Sequence, residues 1–208
     1  MAEGVRQMAG RKQFDVDTAL DGAMHVFWEH GYAEASLSRL LTATGLGRGS
    51  LYSTFGGKDE LLQRSVRRYA ELFAAPMSAA LRSRPDDPTA AVRAFFDTVL
   101  TRLADPEVPA GCLITRLAAE TADLDAPVRE VVAGALAGQR AEIRAALRPA
   151  EDAVSAERLD DLALYAAAIN QSLTVLHLAG TPVAELRTIA DLAHEHIAAA
   201  LATPPRTE

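Results

Sequence analysis

TGLGRGSLYSTFGGKDEL, residues 44–61, stands apart from the rest of the chain. Alanine, leucine and other helix formers dominate elsewhere, but this run gathers five glycines, Arg48, small hydroxyls, Tyr52 and Lys58. Helical signals surround it. Asp15 or Asp17 caps a helix with apolar positions Ala19, Leu20, Ala23, Met24, Phe27 and Trp28, ending at Gly31. Ser36 caps a second, SLSRLLTAT, with Leu37, Leu40 and Leu41 inward and Gly45 after it. A third spans Gly47 to Thr54. Gly45-Leu46-Gly47 leaves room only for a tight turn with glycine at left-handed angles, a helix-turn-helix pattern.

On the third helix Leu51 and Phe55 are four apart and point inward. Arg48, Ser50, Tyr52, Ser53 and Thr54 then project elsewhere. A short helix in a major groove uses such residues: arginine on guanine or phosphate, hydroxyls on either, tyrosine on a thymine methyl or a sugar. Gly49 lets the backbone come close. Lys58 begins a fourth helix, where free amides, helix dipole and ammonium together suit a phosphate. The alternative is a solvated three-helix corner with no ligand.

Residues 11–72 resemble the DNA-binding domain of the TetR family of bacterial transcriptional regulators, on the run ASLSRLLTATGLGRGSLYSTFGGKDELL and most specifically on SLYSTFGGKDEL. The resemblance implies a homodimer of all-α subunits, a C-terminal ligand-binding domain, and release of DNA when a small-molecule effector binds. By position it implies that Ser36 and Lys58 hold phosphates, while Ser38, Arg48, Gly49, Ser50, Tyr52, Ser53 and Thr54 line the groove. Many members carry a hydroxyl residue where Gly47 stands, so one cap or phosphate contact is missing here. The expected organisation is a flexible arm over 1–10, a helix-turn-helix domain over 11–56, and an effector-binding and dimerisation domain over 57–203.

The chain has 208 residues, 49% hydrophobic and 24% charged, with a net charge of −7. Residues 1–72 carry nine basic and nine acidic side chains, so all the excess acidity lies beyond them. A neutral segment still binds phosphates if its cations share a face. The single cysteine, Cys112, excludes an intrachain disulfide and a cysteine zinc cluster. The longest clean apolar run, Leu162 to Ile169, falls far short of the ~20 residues of a membrane span. The N-terminus has no signal-peptide core, so a cytoplasmic protein is expected. His194 and His196, two apart, cannot share a helical face as a metal pair. No cofactor is expected.

All ten prolines lie at or beyond Pro76, and helical patterns run between them over 89–104, 127–147, 155–180 and 182–201. The last two are apolar around much of their circumference, which fits either a dimer interface or the centre of a monomeric bundle. GCLITRLAAETADLDAPVRE (111–130) is similar to a segment of a TetR subgroup that responds to reactive or electrophilic compounds through a cysteine. Cys112 falls near a helix start, where the dipole favours a thiolate, with Arg116 one turn later. It can equally be a small buried core residue.

An effector pocket is expected between the helices carrying Phe73, Phe95, Phe96, Val99, Cys112, Arg116, Tyr165, Ile169, Asn170, Leu173 and His177. Asn170 and His177 share one face and either orient a ligand or bond neighbouring helices. The leading function is a ligand-responsive repressor on a palindromic operator in double-stranded DNA. An enzyme with Cys112 as nucleophile and His177 as base has no supporting motif. An architectural DNA binder leaves the large non-basic C-terminal part without a role.

Overall fold

The computed structural model describes residues 15–202, and every regular element among them is helical. The expected arm over 1–10 lies outside the described residues.

α1 (Val16–Glu34) begins where the Asp15 side chain accepts the Asp17 N–H at 3.0 Å. Its helical backbone breaks at Gly31, with φ 74° and ψ −175°. α2 (Leu37–Thr44) starts at Ser36, whose Oγ accepts the Arg39 N–H, and stops at Gly45, with φ 67°. α3 (Arg48–Phe55) follows directly. Met24, Phe27, Trp28, Leu40, Leu51 and Phe55 are all essentially inaccessible, and each such side chain contributes about 1.5–3 kcal/mol over its exposed state.

α4 (Lys58–Tyr69) does not stop where its α-helical spacing does. The helical path continues through a wide π-turn, Ala70–Ala74, into α5 (Ala75–Arg82). Pro76 has no N–H to donate and its ring crowds the carbonyl four residues back, so the wider turn accommodates it. One rod thus runs from Lys58 to Arg82.

α6 (Pro88–Leu103) is capped by Asp87, α8 (Ala126–Ala146) by Asp125 and α9 (Ala156–Leu178) by Ser155. Between α6 and α8 lies the short α7 (Leu113–Ala119), and α10 (Val183–Ala202) is the last of the described elements. The packing does not part at residue 56, where the sequence pattern divides the chain. The first core joins α1–α3 to Leu61, Leu62, Val66 and Tyr69 of α4, Leu113 and Leu117 of α7, and Val128 and Val132 of α8. The second core is built from α5, α6, the end of α8, α9 and α10. Outside it, Leu164, Val175 and Leu178 of α9 and Leu192 of α10 stay exposed, Leu192 by 60%.

Candidate functional site

α3 is held by its buried Leu51 and Phe55 and turns Arg48, Gly49, Ser50, Tyr52 and Ser53 to solvent, with Thr54 half-buried. Tyr52 is 48% exposed. A Cβ on Gly49 would meet nothing within 4 Å, so nothing inside the molecule requires glycine there. Gly47 provides no side-chain cap, and the first bond of α3 runs from the Leu51 N–H to the Gly47 carbonyl at 3.0 Å. The preceding amides at the helix start suit an external acceptor. Ser36 and Ser38 are exposed at the start of α2. The Ser36 Oγ accepts the Arg39 N–H at 3.3 Å, which leaves its own proton for another partner.

Lys58 opens α4 with its ammonium 4.3 Å from the centroid of the Tyr32 ring. Burial draws its pKa below the ordinary lysine value. The Tyr32 hydroxyl donates to Asp59, and burial together with that bond pushes its pKa up to about 12. Asp59 and Glu60 share this first turn, so any affinity for phosphate here depends on the Lys58 charge.

A cavity of about 390 Å³ lies alongside the α4–α5 rod, walled also by α6, α7, α8 and α9. Ala70, Ala74, Met77, Leu81, Phe95, Ile114, Ala135 and Leu136 give it an apolar lining. Asn170, Gln171 and Gln139 form a polar floor, and Cys112, Tyr69 and Arg102 also line it. Glu142 is engaged by Ser78 and Arg82.

Of the residues expected in an effector pocket, Phe95, Cys112 and Asn170 line this cavity, and the others do not. Phe73 instead stacks on Tyr69 at 5.3 Å and meets Trp28 edge-on at 4.8 Å, sealing the first core. Phe96, Val99 and Leu173 are spent in the second core, and Ile169 packs against it. Tyr165 faces the His196 ring at 5.2 Å. Arg116 lies on α7 outside the lining. His177 accepts the Gly111 N–H at 3.3 Å, and burial, then Arg102, lowers its pKa. Helical spacing identified a face of each helix, but which face meets the void depends on how α7 and α8 cross.

Tyr69, Arg102, Gln139 and Gln171 are additions. Two of them carried a signal: Arg102 continues the apolar stripe of Phe95 and Val99, and Gln139 that of Val132 and Ala135. A polar residue on an apolar stripe marks a place where the core is not closed.

Cavity and first core touch. The Tyr69 hydroxyl donates to the Cys112 Sγ at 3.1 Å, and burial pushes its pKa far up, keeping it a neutral donor. Trp28 meets Tyr69 edge-on at 4.8 Å, with the Arg102 guanidinium 5.8 Å from its ring. Among the described residues no helix is long and apolar enough to cross a membrane, and no cluster of His, Cys, Asp or Glu is arranged to hold a metal.

A helix-turn-helix head mounted on a helical body is the plan of a DNA-binding regulator. A family model described as "Bacterial regulatory proteins, tetR family" matches residues 19–64, and one described as "Tetracyclin repressor-like, C-terminal domain" matches residues 88–199. The chain belongs to the TetR family of bacterial regulatory proteins. The HTH-type transcriptional repressor ComR of Escherichia coli is 35% identical over 125 residues, covering 58% of this chain and 60% of that protein. YezE of Bacillus subtilis, an HTH-type transcriptional regulator, is 36% identical over 113 residues, covering 54% and 58%. The matched stretch thus spans somewhat less than two thirds of each of these relatives. Among solved structures, a cysteine mutant of the TetR family regulator CifR on 26-bp operator DNA is 26% identical, covers 88% of this chain and 97% of that one, and has a TM-score of 0.80.

Proposed function

We propose that this chain is a ligand-responsive transcriptional repressor that dimerises through α9 and α10 and leaves a palindromic operator when a small molecule fills the cavity. The observation that carries it is the single rod from Lys58 to Arg82: one end adjoins α3, and the stretch from Tyr69 to Arg82 walls the cavity. Interdigitated cores shift between discrete packings rather than bending continuously, so a ligand favouring one packing of the rod biases the head. Arg48, Ser50, Tyr52 and Ser53 are the base-reading candidates, with Ser36 and Lys58 on phosphates. The exposed apolar Leu164, Val175, Leu178 and Leu192 suit a second copy. Gel shift with DNA upstream of the protein's own gene tests it. Specific retention against excess random DNA is expected, and equal affinity for both would overturn the reading.

One observation favours a second trigger on the same scaffold: Cys112 lines the cavity and accepts the Tyr69 hydroxyl. Covalent modification there would add bulk at the junction of cavity and first core. The CifR neighbour on operator DNA is itself a cysteine mutant. Under this trigger an alkylating agent releases DNA from the wild type but not from Cys112→Ser. Equal responses leave Cys112 as a packing residue.

A further inference from the structure

Two residues that line the cavity each carry a buried polar atom without the partner its chemistry requires. Asn170 is 3% exposed. Its Nδ2 donates to Gln139 Oε1 at 3.0 Å, while its Oδ1 is buried with no donor. Three neighbouring donors bond elsewhere. Gln171 Nε2 donates to the same Gln139 Oε1 at 3.1 Å, the Thr115 hydroxyl goes to Gln171 Oε1, and the Thr174 hydroxyl to the Gln171 carbonyl at 2.8 Å.

The second residue is Arg102. Its Nη1 donates to the Gly111 carbonyl at 2.8 Å, and its Nε is buried without an acceptor. No ion pair among the described residues involves Arg102. Glu142, the carboxylate in the lining, is already engaged by Ser78 and Arg82. The residues lining the cavity therefore include a guanidinium with no carboxylate partner, an amide oxygen with no donor, and apolar side chains. Buried polar groups of this kind are satisfied by ordered water or by a ligand, and a roomy, mostly apolar void suits a ligand.

We infer that the cavity takes a small amphipathic carboxylate carrying a hydroxyl or N–H. Its carboxylate accepts from Arg102, its hydroxyl or N–H donates to Asn170 Oδ1, and its apolar body lies against Met77, Leu81, Phe95 and Leu136. A single guanidinium without a carboxylate partner matches a monoanion; a phosphate dianion would need further cations, and the only lysines of the chain are Lys12 and Lys58. The lining follows the rod from Tyr69 to Arg82, and at about 1.5 Å per residue this favours an elongated ligand over a compact one. The inference rests on the ligand-responsive reading and names its effector class.

The test is calorimetric titration of the full chain without DNA, using β-hydroxydecanoate and para-hydroxyphenylpropionate as aliphatic and aromatic probes. Each is compared with its methyl ester and with the acid lacking the hydroxyl. Each acid is expected to bind about tenfold tighter than its ester, and about tenfold tighter than the acid without the hydroxyl. Arg102→Gln removes the first preference and Asn170→Leu the second, with thermal melts reporting that each variant folds. The wild-type comparison of acid with ester stands without either variant. Equal binding of acid and ester, no saturable binding of either acid at about 1 mM, or a folded Arg102→Gln that keeps the preference overturns the inference. Gel shift on the same preparation separates the two claims. Operator binding without acid binding overturns the ligand class alone, and acid binding without operator binding overturns the regulatory reading alone.

Discussion

Glu120 occupies the space that a side chain at residue 31 would need: a Cβ on Gly31 would lie 1.7 Å from Glu120 Oε1. Through Oε2 the same carboxylate accepts the N–H of Tyr32 at 2.7 Å and of Ala33 at 3.1 Å. The residue that follows α7 thereby fixes the last turn of α1, which leads into α2, and Cys112, just before α7, lines the cavity. Gly31→Ala forces a side chain into positive φ and displaces that carboxylate. A loss of about 1–3 kcal/mol is expected in chemical denaturation. An unchanged midpoint would show that Glu120 moves aside without cost.

On DNA, Arg48 and Lys58 are expected to fail differently. Lys58→Ala weakens specific and random DNA alike and lowers the salt slope by about one per half-site. Arg48→Ala costs about 1–3 kcal/mol per half-site on the operator and relaxes base preference. Anisotropy titrations over a range of salt read both. Equal losses on operator and random DNA for Arg48→Ala would reduce it to a phosphate contact.

The proposed dimer is best probed from exposed side chains. Leu173 lies on α9 but is 0% exposed within its own subunit, so Leu173→Glu buries a charge and unfolds the chain. Val175→Glu and Leu192→Glu place the charge on the open face and are expected to give a helical monomer by light scattering. Dimers in both variants would move the interface elsewhere.

His177 makes stability depend on pH. Burial and the nearby Arg102 hold its folded pKa below the ordinary 6.5, and its Nδ1 accepts the Gly111 N–H only while unprotonated. The unfolded chain therefore binds more protons at this position. Its contribution is complete above pH 6.5 and is lost as pH falls through the lowered folded value. Thermal melts from pH 7.5 down to 5 are expected to show a shallower decline in His177→Gln than in the wild type. Parallel declines would remove His177 from the account.

The helix-turn-helix was legible because its determinants are local. Ser36 caps α2 within three residues, Gly45 supplies the left-handed turn, and Leu51 and Phe55 leave one face of α3 for other partners. Helical patterns between prolines likewise marked α6, α8 and α9, and in the structure Asp87, Asp125 and Ser155 each bond an amide three residues on at their starts. The rod from Lys58 to Arg82 was not legible as one element. Its π-turn shifts the register by a residue, and a search for 3.6-residue periodicity loses the helix there.

The cavity is where local information ends. Spacing put Phe96, Val99 and Leu173 on apolar faces, and they are apolar and buried, but against one another. Arg102 and Gln139 interrupt such faces, and only the crossing of α6, α8 and α9 shows them opening on a common void. Periodicity specifies which side of a helix is apolar; it does not specify what that side meets, because contacts between residues far apart in sequence depend on crossing angles set by the whole core. Thus the chain order of Gly45, Leu51 and Phe55 dictates a reading head, while the meeting of Tyr69 with Cys112, 43 residues apart, and of Tyr32 with Glu120, 88 apart, exists only once the helices have packed.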